Sequence, residues 1–130
     1  MTTGRTVLLL LLAFLALLAL SPGCLSTSIG GVAYDGKNLT VQVTEAGGPE
    51  DAALQVSAYR IQDFRQVEIT RDFHPVILRQ GTNTLTVPLV LGKGTYRLYL
   101  YIIINNARRA SVIRDITVEG DGSTPRIGAG

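Results

Sequence analysis

From Leu39 onward, apolar and polar residues alternate with a period of two. Leu39, Val41 and Val43 alternate with Thr40, Gln42 and Thr44, and Leu54, Val56 and Ala58 with Gln55, Ser57 and Tyr59. Val67 and Ile69 flank Glu68, and Leu85, Val87 and Leu89 alternate with Thr84, Thr86 and Pro88. Tyr96, Leu98, Leu100, Ile102 and Ile104 form a longer stripe. A β-strand turns successive side chains to opposite faces, so this period predicts strands with one face buried and one wet. Turn residues punctuate the runs at Asp35-Gly36, Gly47-Gly48-Pro49, Gly81-Thr82-Asn83, Gly92-Lys93-Gly94 and Asn105-Asn106. Short strands separated by such signals predict an all-β antiparallel sandwich of about seven strands.

The strands are expected near Val32–Tyr34, Leu39–Thr44, Leu54–Ile61, Gln66–Thr70 with a continuation at Val76–Leu78, Thr84–Leu89, Thr95–Ile104 and Ala110–Val118. Pro88 suits an edge strand, where a missing N–H costs no ladder bond. In the last strand strict alternation turns Arg114 inward with Val112, Ile116 and Val118, and a bulge near Ile113 is expected to relieve this.

The N-terminal pattern is different. Val7–Leu20 is an unbroken apolar run behind Arg5, followed by Ser21-Pro22-Gly23-Cys24. A basic start, an apolar stretch and small residues read as a signal peptide over 1–23, helical if it is retained. Residues 24–31 then read as a tether, 32–119 as the sandwich and the glycine-rich 120–130 as a flexible tail.

Leu20-Ser-Pro-Gly-Cys24 resembles the lipobox of prokaryotic lipoproteins, with Ser21 standing where leucine is usual. The resemblance implies a diacylglycerol on the Cys24 sulfur and a chain held at the outer face of the cell membrane. Cys24 is the only cysteine, so no internal disulfide can form.

Leu91-Gly-Lys-Gly-Thr-Tyr96 resembles the tyrosine corner of immunoglobulin-like sandwiches, in which the phenol bonds to backbone upstream. The wider pattern includes Leu39-Thr-Val-Gln-Val-Thr, Leu54-Gln-Val-Ser-Ala-Tyr, Leu78-Arg-Gln-Gly81, Leu85-Thr-Val and Gly94-Thr-Tyr-Arg-Leu. It is similar to the CARDB-type cell-adhesion-related domains of prokaryotic surfaces, with fibronectin type III as the near alternative. The resemblance implies a non-catalytic surface domain.

Charge adds one exclusion. Of 12 basic residues only Arg5 precedes Cys24, so the rest nearly balance the 10 acidic ones. No clustered basic run marks a nucleic-acid footprint. Candidate chemistry is sparse. Asp72 and His74 would share a strand face, but His74 is the only histidine and a zinc site takes three or four ligands. A polar loop bent at Pro75 is the expected state. A Cys24–His74 dyad would need a free thiol. Glu45, Glu50 and Asp51 lack the Asp-x-Asp rhythm of a calcium loop and read as solvated charges. Neither a metal nor a cofactor is expected, and the chain is not expected to be an enzyme.

One surface stands out. Opposite the core stripes lie Tyr59, Tyr99 and Tyr101 with Arg97 beside them, residue types enriched at interfaces. Two functions remain: a membrane-anchored domain that binds a protein, a glycan or an envelope component, or a structural subunit of an envelope assembly. The tether, reaching at most ~20 Å, would place the loops after the second and sixth strands near the lipid, with Arg108 and Arg109 among them.

Overall fold

The computed structural model describes residues 3–20, 26–120 and 124–129. Helix α1 covers Thr3–Leu20. Its large apolar side chains from Val7 to Phe14 are exposed, so they pack into no protein core. At 18 residues it measures about 27 Å, against about 30 Å for a hydrocarbon layer. Among the described residues no helix is long and apolar enough to cross a membrane.

Eight strands follow: β1 (Thr27–Tyr34), β2 (Asn38–Glu45), β3 (Glu50–Gln62), β4 (Arg65–Leu78), β5 (Gly81–Pro88), β6 (Gly94–Ile104), β7 (Ala107–Val118) and β8 (Arg126–Ala129). They form two antiparallel sheets, β1-β2-β5 and β4-β3-β6-β7-β8. The chain is therefore an all-β sandwich. First, second and fifth strands facing third, sixth and seventh is the immunoglobulin-like arrangement. Here β4 pairs with β3 rather than β5, so the second sheet is the wider.

The alternating stripes close on one another. Leu39, Val41 and Val43 of β2 meet Leu54, Val56 and Ala58 of β3 and the whole Tyr96–Ile104 stripe of β6 in one buried cluster. Removing water from each such side chain stabilises the fold by about 1.5–3 kcal/mol.

Two tyrosines fasten the crossover from β5 to β6. The Tyr96 hydroxyl donates to the Gly92 carbonyl at 2.8 Å, which is the tyrosine corner. It also accepts from Arg60 Nη2 at 2.8 Å, with the guanidinium over the ring at 5.4 Å. The Tyr34 hydroxyl donates to the Leu89 carbonyl at 2.8 Å and accepts from the Leu91 N–H at 3.1 Å. Burial pushes the Tyr34 phenol pKa up.

Several elements depart from the sequence expectation. β1 begins at Thr27, inside the expected tether, because a bulge between Ile29 and Val32 absorbs two glycines and lets Thr27–Ile29 pair with Val43–Glu45. Arg126–Ala129, in the expected tail, pairs with β7 and leans Ile127 on the core. β4 runs unbroken through His74 and Pro75. It is an edge strand, where proline's missing N–H is tolerated. Val67 and Ile69 are exposed, at and beyond a bulge opposite Ala58 and Tyr59 that breaks the alternation of β4.

Arg114 does face the core side, opposite Leu98, with no bulge at Ile113. Instead its guanidinium donates to the Ile113 carbonyl at 3.0 Å in an exposed hydrogen bond, as long side chains that keep their charged head in water can. Pro88 sits on an edge strand as expected.

Candidate functional site

On the outer face of the wider sheet, the registers align residues in rows across the strands. Phe73, Gln55, Tyr101 and Ser111 make one row, and Arg71, Ser57, Tyr99 and Ile113 the next. Glu68, Tyr59, Arg97 and Asp115 make the third. In the first two rows β3 contributes short polar side chains between the taller ones of β4 and β6. A groove of about 380 Å³ therefore runs along β3.

Its floor is unusual for an outward face. Gln55 is 8% exposed and Ser57 2%, although alternation marks both as wet. The flanking Phe73, Arg71, Tyr99 and Tyr101 cover them. Gln55 Nε2 donates to Ser57 Oγ at 3.2 Å. Among the described residues this is the only side-chain hydrogen bond of Gln55, so its carbonyl oxygen remains available to accept one.

One end of the groove is locked. Tyr59 and Tyr99 meet edge to face, with centroids 5.2 Å apart. The Tyr99 hydroxyl donates to Gln66 Oε1 at 2.8 Å. Arg71 is held by Tyr59 and by Glu68, whose carboxylate lies 2.7 Å away, and both raise its pKa.

Arg108 stands at the other wall. Its guanidinium lies over the Tyr101 ring, 4.1 Å from the centroid. Among the described residues it has no acidic partner. A bulge in the β6–β7 ladder puts it there: Ala110 pairs with Ile102, but Arg108 pairs with Ile103. The extra residue, Arg109, turns Arg108 onto the outer face.

The sequence-derived surface is thus partly redrawn. Tyr59, Tyr99 and Tyr101 come together on one groove. Arg97 shares their sheet face, directly across from Tyr59, but does not line the groove and is tied to Asp115 by hydrogen bonds of 2.7 and 3.0 Å. That pairing lowers the Asp115 pKa below the ordinary value. The unpaired cation of the site is Arg108, and Gln55, Ser57 and Phe73 were not singled out in the sequence. Phe73 opposite Gln55 was hidden by the expected loop at His74.

The remaining candidates lie elsewhere. Asp72 and His74 share the inner side of β4, opposite Val56 and Leu54. Asp72 accepts from Thr70 Oγ1 at 2.9 Å, and His74 Nε2 is buried without a hydrogen-bond partner. Glu45 is buried rather than solvated, because it accepts from Thr27 Oγ1 and the Gly47 N–H. Among the described residues no group of three His, Cys, Asp or Glu is placed to hold a metal. Cys24 lies outside the described residues.

No protein-family model matches the chain, and no curated protein matches it.

Proposed function

We propose that this chain is an exported lipoprotein, anchored at the outer face of the membrane through Cys24, whose sandwich binds a partner and performs no catalysis. The observation that carries this reading is the groove: a buried Gln55–Ser57 floor between the Tyr99–Tyr101 and Phe73–Arg71 walls. Aromatic rings and an arginine around a water-shielded polar floor are the composition of binding centres. The anchor rests on the apolar run and on Gly23-Cys24. The CARDB-like pattern supports a surface domain of prokaryotic type.

A second reading, a structural subunit of an envelope assembly, is favoured by β4. This edge strand exposes Val67, Ile69, Phe73 and Ile77, and exposed apolar edges invite pairing. Purification from the native envelope after mild cross-linking separates the two. The binding reading expects a bound component that Tyr101→Ala releases. Retention of that component by Tyr101→Ala, with loss on Ile77→Asp, favours the assembly reading instead.

A further inference from the structure

We propose that the groove takes an acidic carbohydrate chain, an inference that rests on the groove being the binding site. Three features of the groove converge on that ligand class.

The first is what the backbone withholds. β3 is hydrogen-bonded to β4 on one side and β6 on the other. Its N–H and C=O groups are consumed by the two ladders, so an extended peptide laid along the floor finds no main-chain partners. Recognition there falls to side chains alone. Those available are an amide, hydroxyls and guanidinium groups, which match a ligand rich in hydroxyls.

The second is shape. The walls stand two strand spacings apart, about 10 Å, and the volume of about 380 Å³ falls within the ~300–1,000 Å³ of small-ligand sites. Tyr101 and Phe73 face each other across Gln55 in one row. A pyranose presents apolar C–H faces to such rings and hydroxyl edges to the floor.

The third is charge. Arg71 and Arg108 line the groove, and among the described residues no carboxylate does. Arg71 is already engaged by Tyr59 and Glu68. Arg108 has no acid partner among the described residues, so its planar fork is free for a sugar carboxylate. Guanidinium–carboxylate pairs are among the stronger hydrogen-bonded contacts. Gln55 then reads the neighbouring hydroxyl, and Tyr101 holds both the guanidinium and the ring.

The test is calorimetry on the full chain in detergent at physiological ionic strength. The probes are polygalacturonate, alginate and hyaluronate, each beside its carboxyl-reduced form, with poly-glutamate as the acidic peptide. The inference expects saturable binding of at least one acidic polysaccharide. Carboxyl reduction, Tyr101→Ala and Arg108→Gln should each weaken it at least tenfold, while Tyr101→Phe and Thr86→Ala preserve it. Thermal melts of every variant identify any that fail to fold, and Arg108→Lys then serves as the second variant. Failure of all three polymers to bind overturns the inference, as does binding that ignores both groove variants. Poly-glutamate binding as tight, and as sensitive to Tyr101→Ala, removes the carbohydrate but leaves the groove as the binding site. Purification from the native envelope tests that broader reading separately.

Discussion

The guanidinium of Arg108 rests over the Tyr101 ring, 4.1 Å from its centroid, and Tyr101 is the residue directly across the ladder from Gln55. The pair joins a charge to the buried floor of the groove. Its contribution to the fold is small, because an exposed cation–π contact is worth about 0.5–1 kcal/mol. Arg108→Gln should therefore lower stability by no more than about 1 kcal/mol in denaturant unfolding. A larger loss would mean that Arg108 is a structural residue.

The tyrosine pair at the β5–β6 crossover should behave in the opposite way. Tyr96→Phe removes the bonds to Gly92 and Arg60, and Tyr34→Phe those to Leu89 and Leu91. Tyr34→Phe strands buried backbone groups and should cost about 1–3 kcal/mol, and Tyr96→Phe, whose bonds are part-buried, about 0.5–1.5 kcal/mol. The crossover they hold is the same, so the double variant should lose less than the sum. Strict additivity in urea midpoints would contradict a shared fastening.

Acid should weaken the fold through Asp115. Its hydrogen bonds from Arg97 lower its pKa, so its folded pKa lies below its unfolded one. The stability it contributes is complete above the ordinary aspartate value of about 3.9 and is lost as pH falls through the folded value. Asp115→Asn should flatten the acid limb of a stability–pH curve and leave its slope near neutrality unchanged. An unchanged acid limb would show that the Arg97 pair carries no pH dependence.

How much of this was legible in the sequence depends on periodicity. The stripes of β2, β3, β5 and β6 read directly, because alternation reports which face is dry. Gly92–Gly94 before Tyr96 marked the tyrosine corner. The companion role of Tyr34 did not read, since two of its partners, Leu89 and Leu91, lie more than fifty residues away in the segment after β5. Bulges erase periodicity, which is why the start of β1 and the exposed end of β4 do not show in the alternation, and why Arg108 reads as a loop residue although it lies on β7. The floor at Gln55 and Ser57 was missed for another reason: alternation tells which face a residue takes, not how tall its cross-strand neighbours are. β8 is four residues long and carries one large apolar residue, Ile127, too little to give a period.

The proposed anchor and the strand directions together predict an orientation. Thr27 lies beside Asn105 and Arg109 at one pole of the sandwich. β3, 13 residues long, carries the hairpin tip at Phe64 about 40 Å toward the other pole. With lipid on Cys24, a dye at Asn106 should transfer energy efficiently to acceptors in the bilayer, and one at Phe64 weakly. Equal transfer would contradict the orientation. Cys24→Ser should abolish the lipid mass on the N-terminal peptide and alter processing and membrane retention, and unchanged processing and retention would rule out lipidation.

The central claim is that the outer groove of the wider sheet is where a partner binds. Photo-cross-linking in the native envelope tests it most directly, with a photoreactive phenylalanine in place of Tyr101 on the groove or of Thr86 on the opposite sheet. A discrete adduct should form from the Tyr101 position, be competed by unlabelled chain and be absent from the Thr86 position. Adducts from Thr86 with none from Tyr101 would contradict the account.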